Sequence, residues 1–295
     1  GHEFIFYDNK TTDTEELYNR AKDSDIVMIA NNPLPDSVIE RCEKIKMLDV
    51  AFTGIDHVGQ KACKEKGVVI CNAAGYSNET VSELAVGMAI NLLRKINAGD
   101  KAVREGKTLA SAGLMGTELG TKTVGIIGTG RIGIMTAKLF KAFGCRVLGY
   151  SRTKKEEAVQ AGIEYTELDE LLKISDIVSL HVPSTAETKG FLSRERISLM
   201  KQTAILINCA RGAVVDNEAL AEALNADNIA GAALDVFDME PPIPADYPLL
   251  NAKNTLLTPH VAFASKESMI RRAHIVFDNL YAYLDGRPVN VVDIK

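Results

Sequence analysis

The chain has 295 residues, of which 46% are hydrophobic and 25% charged, and its net charge is −5. That length suits two domains with a substantial core. The mild charge, with no basic block or stripe of Lys and Arg interleaved with aromatics, argues against a nucleic-acid surface, and no apolar run approaches the ~20 residues that cross a bilayer.

Tyr7–Lys10 interrupts the apolar run near the N-terminus, so no signal peptide is read there. Gly1-His2 reads as a tag remnant before a first strand. Short apolar runs then alternate with helical patterns. Phe4–Tyr7, Ile26–Ala30, Met47–Ala51 and Val68–Cys71 read as strands, with helical stretches at Glu15–Lys22, Pro35–Ile45 and Val58–Lys66 between them. Such alternation predicts a parallel sheet covered by helices. A long helix runs from Asn78 to Leu93 and continues after a break to Gly106, and the glycine- and serine-rich stretch Thr108–Lys122 reads as a connector.

A second series follows. Its strands are Val124–Ile127, Arg146–Tyr150, Ile177–His181, Ala204–Asn208, Ile229–Leu234 and Thr255–Leu257. Its helices lie at Ile132–Phe143, Glu156–Ala161, Leu168–Ile174, Ser193–Met200, Asn217–Asn225 and Ser265–Leu284. The cysteines, Cys42, Cys63, Cys71, Cys145 and Cys209, are odd in number, widely spaced and without a CxxC pair. They read as reduced, buried thiols of a cytoplasmic protein, and no metal site is expected.

The most informative stretch is Thr123–Gly133, TVGIIGTGRIG. A strand, a glycine turn and a helix follow one another, which is the context in which GxGxxG carries meaning. Gly128 allows the tight turn, Gly130 lets the backbone approach a pyrophosphate, and Gly133 lets helix and strand pack closely. The helix N-terminus offers free N–H groups to the phosphates.

Three polar residues each lie just beyond a predicted strand of the same unit: Arg211 in NCARG, Glu240 in DVFDMEPP and His260 in TPHVA. Hydride transfer to a carbon bearing oxygen needs a proton donor or acceptor on that oxygen. A histidine serves as both, and a carboxylate beside it fixes its tautomer. An arginine grips a carboxylate through two parallel hydrogen bonds. Taken singly, each could be an ordinary loop residue; their shared placement points to reduction of a 2-oxo acid. His181, in LHVP, competes for the role of base but reads better as a strand-end residue beside the adenosine half of a cofactor.

TVGIIGTGRIG, NCARGAVVD, ALDVFDMEPP and LLTPHVAFAS, with GIDHVG and GYSNETVSELAVG in the first half, resemble the D-isomer-specific 2-hydroxyacid dehydrogenase family across essentially the whole chain. The resemblance implies an α/β fold of two Rossmann-like parallel-sheet domains with an interdomain cleft. Residues 1–94 plus 265–295 would form the substrate-binding domain and 95–264 the dinucleotide-binding domain. It implies that Arg211 binds the substrate carboxylate and carbonyl, that His260 is the general acid/base and that Glu240 is its partner. Backbone N–H groups of Thr53, Gly54 and Ile55 would hold the substrate carboxylate. Gly128, Gly130, Arg131, Ile132 and Gly133 would bind the pyrophosphate. Cys209 and Ala210 would lie beside the nicotinamide, Asp235 would accept from its carboxamide, and His181, Val182, Pro183 and Thr188 would lie near the adenosine half. A homodimer through the nucleotide domain is also implied.

The chain departs from the family pattern at the end of the second nucleotide-domain strand. Many members place an aspartate there, which binds the ribose 2′-OH and selects NAD. Here Ser151 takes that position, 18 residues after Gly133, followed by Arg152, Thr153, Lys154 and Lys155. A hydroxyl and an arginine suit a 2′-phosphate, so NADP is expected to be tolerated or preferred; alternatively Arg152 stacks on adenine and NAD binds. The regulatory extension of some phosphoglycerate dehydrogenases is not seen, and no extra cation cluster is evident in the first-domain loops. A small unphosphorylated 2-oxo acid is therefore expected, either hydroxypyruvate/glyoxylate, which TPHVAFAS resembles, or a pyruvate-like substrate. The rival reading is a non-catalytic NAD(H)-sensing protein on the same scaffold.

Overall fold

The computed structural model describes residues 1–239 and 242–294. The chain divides into two compact units, Gly1–Ser77 with Ser265–Lys295, and Asn78–Ala264. In chain order the first unit contributes α1 (Thr14–Ala21), β1 (Ile26–Ile29), α2 (Asp36–Ile39), β2 (Met47–Val50), α3 (Gln60–Lys66) and β3 (Val69–Asn72). The second contributes α4 (Asn78–Arg94), α5 (Ile96–Arg104), β4 (Thr123–Ile127), α6 (Arg131–Ala142), β5 (Arg146–Tyr150), α7 (Glu156–Gln160) and β6 (Glu164–Tyr165). It continues through α8 (Leu168–Ile174), β7 (Ile177–Leu180), α9 (Arg194–Ile197), β8 (Ile205–Asn208), α10 (Asn217–Asn225), β9 (Gly231–Leu234) and β10 (Thr255–Leu257). The chain then returns to the first unit in α11 (Lys266–Leu284). Among the described residues no helix is long and apolar enough to cross a membrane.

The unit boundary falls at Ser77/Asn78, where the sequence placed it at 94/95. The reason is packing. Ala85, Val86, Met88 and Ala89 of α4 are buried in one cluster with Ile134, Ala137 and Phe140 of α6 and with Ile205, Ile207 and Ala233 of the sheet. The helical pattern does break as expected, at Lys95, whose φ is 52°. Three other expectations differ. Phe4–Tyr7 forms no strand, and its side chains are exposed. The helix expected over Pro35–Ile45 keeps only Asp36–Ile39, because the stretch from Arg41 to Lys46 runs as turn and loop. β6, two residues long, was too short to leave a pattern.

The first unit holds a three-stranded parallel sheet in the order β1-β2-β3. Strand alternation divides β2 between two environments. Leu48 and Val50 join the apolar cluster with Leu17, Val38, Ile39 and Ala62 of α1, α2 and α3. Asp49 points the other way, toward α11, and is fully buried. Asn279 Nδ2 of α11 donates to Asp49 Oδ1 at 3.0 Å and to the Asn72 carbonyl at 3.1 Å. Asn290 Nδ2 donates to Asn279 Oδ1 at 2.8 Å, and Val292 N donates to Ile70 O at 2.8 Å, so the C-terminal segment is tied to the same sheet. Asp49 Oδ2 has no hydrogen-bond partner among the described residues.

The second unit is a seven-stranded parallel sheet in the order β10-β9-β8-β7-β4-β5-β6. Numbered from β4, that is the 3-2-1-4-5-6 order of a dinucleotide-binding fold with one added strand. Side chains alternate faces. Val124, Ile126, Ile205 and Ile207 pack under α4 and α6, while Ile127, Val178, Leu180 and Leu206 pack under α8 and α10. Both faces are covered, which explains why the strands read as continuous apolar runs. The order reverses at β4, flanked by β5 on one side and β7 on the other. The crevice at the carboxyl ends of these strands is where such sheets bind ligands.

Burial pushes the Asp49 carboxyl up to about 6, and the Asn279 hydrogen bond only partly opposes this. Between the ordinary carboxylate value and about pH 6 the native state therefore holds more protons than the unfolded one. The stabilisation from Asp49 is full below that window and is lost as pH rises through it. Asp49→Asn should gain stability relative to wild type by roughly 1–2 kcal/mol as pH rises from 5 to 7. Paired thermal melts across that range test this, and a gap that stays constant with pH would refute it.

Candidate active site

The turn after β4 has the geometry that its sequence spacing predicts. Gly128 has φ of 100°, and a Cβ there would stand 2.4 Å from the His181 carbonyl oxygen. A Cβ on Gly133 would stand 2.0 Å from the Gly128 carbonyl oxygen, so α6 can approach the turn only with glycine at this position. Gly130 differs: a Cβ there would meet nothing within 4 Å. Its bare backbone faces open space at the head of α6, whose first-turn N–H groups, including those of Arg131 and Ile132, have no acceptor within the helix. A dinucleotide pyrophosphate fits this turn.

Beyond β5, Ser151 is half-buried and Arg152 and Thr153 are exposed. No acidic side chain stands there; Arg152 makes no ion pair or hydrogen bond among the described residues. Beside it, Tyr165 of β6 anchors the strand ends. Its hydroxyl lies 2.6 Å from Thr129 Oγ1 and accepts from the Lys155 backbone N–H at 3.0 Å. After β7, His181 Nε2 lies 2.9 Å from Ser179 Oγ. Burial of the ring pulls the His181 pKa down to about 4. It therefore stays neutral near pH 7 and is unsuited to a proton-cycling role. Val182 and Pro183 continue this edge, where Thr188 Oγ1 donates to the Pro183 carbonyl at 2.6 Å and accepts from the Thr185 N–H at 2.7 Å.

The loops after β8, β9 and β10 are wired to one another. After β8, Asn208 Oδ1 accepts from Ala210 N at 3.0 Å and Asn208 Nδ2 donates to the Arg211 carbonyl at 3.0 Å. Arg211 Nη1 donates to the Ala210 carbonyl at 2.8 Å. Gly212 lies so close to Phe237 that a Cβ would overlap its carbonyl carbon at 1.8 Å, which joins the β8 loop to the β9 loop. Cys209 Sγ lies 3.7 Å from Met88 Sδ, and burial, reinforced by the Asp235 charge, pushes its thiol pKa up, so it is not a nucleophile.

Asp235, directly after β9, is fully buried. Its Oδ1 accepts from Thr258 Oγ1 at 2.6 Å and Val261 N at 2.8 Å, and its Oδ2 accepts from Ala262 N at 2.8 Å. Its backbone carbonyl accepts from His260 N at 2.8 Å. His260 is thereby held with φ of 55°, a left-handed conformation uncommon for a residue with a side chain, and its ring meets Phe263 edge-on at 5.5 Å. Nothing in the sequence pattern around Asp235 announces this second task beside a cofactor contact. Glu240 lies outside the described residues. Among the described residues no group of His, Cys, Asp and Glu could hold a metal ion.

In the first unit, Thr53, Gly54 and Ile55 follow β2. Their carbonyls are partly engaged: Thr53 O accepts from Asn72 Nδ2 at 2.8 Å and Ile55 O accepts from Gln60 Nε2 at 3.1 Å. Their three successive N–H groups have no acceptor among the described residues. A run of such donors is one component of an anion-binding concavity. Asn72 was not singled out from sequence, since nothing in an apolar strand's last residue announces which loop it will tether.

The fold, the glycine turn and the polar residues beyond β8 and β10 define a dinucleotide-binding α/β enzyme. Residues 86–262 match the family model described as D-isomer-specific 2-hydroxyacid dehydrogenase, NAD-binding domain. The chain is 38% identical over 297 residues to a hydroxypyruvate reductase of Blautia hydrogenotrophica, covering 99% of this chain and 92% of that protein. An acyclic imino acid reductase solved with NADPH and D-Arg superposes with a TM-score of 0.88 at 31% identity, covering 95% of this chain and 89% of that one. D-lactate dehydrogenase from Aquifex aeolicus, solved with NAD and lactic acid, superposes with a TM-score of 0.85 at 32% identity, covering 94% and 90%. The chain belongs to the D-isomer-specific 2-hydroxyacid dehydrogenases. It is an oxidoreductase acting on the CH–OH group of hydroxy acids with a nicotinamide cofactor.

Asp235→Asn sets an NH2 group against backbone N–H donors and removes charge-assisted hydrogen bonds, each worth ~1.5–3 kcal/mol. The variant should lose roughly 2–4 kcal/mol of stability and most of its turnover. A melt and a kcat close to wild type would show that the carboxylate does not hold the His260 loop.

Proposed function

We propose that the protein reduces a small, unphosphorylated 2-oxo acid of the hydroxypyruvate, glyoxylate or pyruvate kind to its D-2-hydroxy acid, reversibly. The hydroxypyruvate reductase relative supports that substrate class. The observation that carries the residue roles is the placement of Arg211 and His260 beyond β8 and β10, the strands on either side of β9, at the edge that bears the glycine turn, with His260 locked in a left-handed backbone by Asp235. Strain of that kind at a polar residue marks a site where position matters more than stability.

The bound cofactor supplies the hydride. Arg211 grips the substrate carboxylate and polarises the adjacent C2 carbonyl through its planar fork. His260 donates the proton to the C2 oxygen and takes it back in the oxidative direction. Glu240 is its partner. The N–H groups of Thr53–Ile55 hold the substrate carboxylate, those of the glycine turn hold the pyrophosphate, and Cys209 and Ala210 flank the nicotinamide. Asp235 accepts from the nicotinamide carboxamide. His181, Val182, Pro183 and Thr188 flank the adenosine half. The non-catalytic NAD(H)-sensing alternative is not favoured, because the relatives are enzymes.

NAD(H) binding follows from the family; the finer reading is that NADPH serves at least as well. Ser151 in place of a carboxylate, Thr153 beside it and Arg152, which has no ion pair among the described residues, support it, as does the neighbour solved with NADPH. Five free thiols suit a cytoplasmic enzyme. A homodimer through the nucleotide unit is part of the same reading. Val103 and Met115, 75% and 77% exposed, offer apolar surface for it, and the mass in solution by light scattering tests it.

Arg211→Lys should lower kcat/KM by about a hundredfold or more, because a point charge does not replace a bidentate fork. His260→Ala should lower kcat about a hundredfold or more with little change in cofactor affinity. Equal losses in turnover and cofactor binding would make His260 structural. Wild-type kcat/KM with NADPH should equal or exceed that with NADH, and Ser151→Asp should move the ratio about tenfold or more toward NADH. A strong wild-type preference for NADH would overturn the cofactor reading.

A further inference from the structure

We propose that Arg272 is a specificity-determining residue that recognises an oxygen substituent on C3 of the 2-oxo acid. This inference rests on the reductase reading and deepens it, since it selects hydroxypyruvate-type over pyruvate-type substrates. Arg272 lies on α11, and its guanidinium stands 5.2 Å from the ring centre of Phe52 and 5.8 Å from that of Tyr76. The two rings meet edge-on, with centroids 6.1 Å apart. Tyr76 is 1% exposed, so this wall does not swing freely. Next along the helix, Arg271 Nε donates to the Tyr76 carbonyl at 3.0 Å, which pins α11 to the segment. Phe52 immediately precedes Thr53-Gly54-Ile55. A cation that the sequence hid is thus packed against the stem of the loop whose N–H groups await an anion.

The chemistry of the niche is specific. A guanidinium satisfies its electrostatics over aromatic faces but keeps its N–H donors in the plane, directed outward. Among the described residues no carboxylate or carbonyl takes them, although the side chain is half-buried. Covering two rings would need only a methionine or a leucine. A half-buried fork of unmatched donors instead calls for acceptor oxygens on a ligand. In a 2-oxo acid whose carboxylate occupies the Thr53–Ile55 loop, C3 is two carbon–carbon bonds from the carboxylate carbon. A hydroxyl there can accept from Arg272; the methyl of pyruvate cannot, and would leave the donors facing apolar surface. Sites built to hydrogen-bond a substrate hydroxyl reject the analogue lacking it far more strongly than apolar pockets reject a methyl group.

The test uses the full chain as wild type, Arg272→Met and Arg272→Lys, with steady-state kcat/KM measured for hydroxypyruvate, pyruvate and glyoxylate. Glyoxylate has no C3 and serves as the reference. Arg272→Met should lower the hydroxypyruvate-to-pyruvate and hydroxypyruvate-to-glyoxylate ratios by about tenfold or more, chiefly through KM, and leave the pyruvate-to-glyoxylate ratio in place. Arg272→Lys should recover part of the lost preference. If Arg272→Met lowers all three substrates equally, or leaves the ratios at wild-type values, the inference is overturned and Arg272 only buttresses the loop. A wild-type protein that reduces none of the three would instead overturn the reductase reading, and this inference with it.

Discussion

The carboxylate of Asp235 is the constraint on which the active-site edge depends. It sits fully buried after β9 and accepts three hydrogen bonds from the loop after β10. A buried carboxylate is costly unless donors surround it, and here the donors all come from Thr258, Val261 and Ala262. The loop therefore has one conformation that satisfies the charge. His260, in the middle of it, takes a left-handed backbone that it would not adopt alone. On the other side, Gly212 presses against Phe237, so the loop bearing Arg211 is positioned by the same strand end. Two candidate reacting groups on different loops thus take their geometry from one buried anion and one missing side chain.

The parallel sheet makes such wiring available. Its strands all present their carboxyl ends on one edge, and both of its faces are sealed by helices, so polar chemistry can concentrate only at that edge. The order reversal at β4 opens the crevice where Gly128 turns the chain into α6. In the first unit the same logic operates on three strands. The loop after β2 is tethered through its Thr53 carbonyl by Asn72 of the neighbouring β3, which leaves its N–H groups directed elsewhere. The return helix α11 is fastened to this sheet by polar contacts through Asn279 to Asp49 and Asn72.

What could be read from the sequence was what local spacing encodes. The β4 turn and α6 were legible because three glycines stand at fixed intervals after an apolar run, and close contacts require two of them, Gly128 and Gly133. Arg211 and His260 were legible because strand ends in a parallel sheet share an edge. Phe4–Tyr7 misled because an apolar run is only an opportunity to pair. The boundary at residue 94 misled because helix length says nothing about which sheet a helix will cover; α4 is claimed by α6, β8 and β9. Asp49 was hidden inside an apolar run, and its importance appears only when α11 arrives with Asn279. Arg272 and Phe52 are far apart in sequence, and no periodicity connects them.

The polar groups that shape the loops differ from the donors left open near them. Asp235, the Asn208 side chain and the Asn72 side chain, which shape the loops, are all matched internally. Apart from the buried Asp49 Oδ2, Thr136 Oγ1 and Ser175 Oγ, the groups left unmatched among the described residues include several donors: the N–H groups of Thr53–Ile55, the first turn of α6, and the guanidinium groups of Arg152 and Arg272. Unmatched donors weaken a fold when solvent is excluded from them, so their accumulation at loop ends has no structural use. Its use lies in ligands rich in acceptor oxygens. The phosphates of a dinucleotide and the carboxylate of a hydroxy acid are ligands of that kind. A chain with a net charge of −5 thus assembles local sites of positive character from backbone amides and a few arginines, without a basic surface. That division lets the scaffold be acidic while its ligands are anions, and it makes selectivity among those anions depend on where each unmatched donor points.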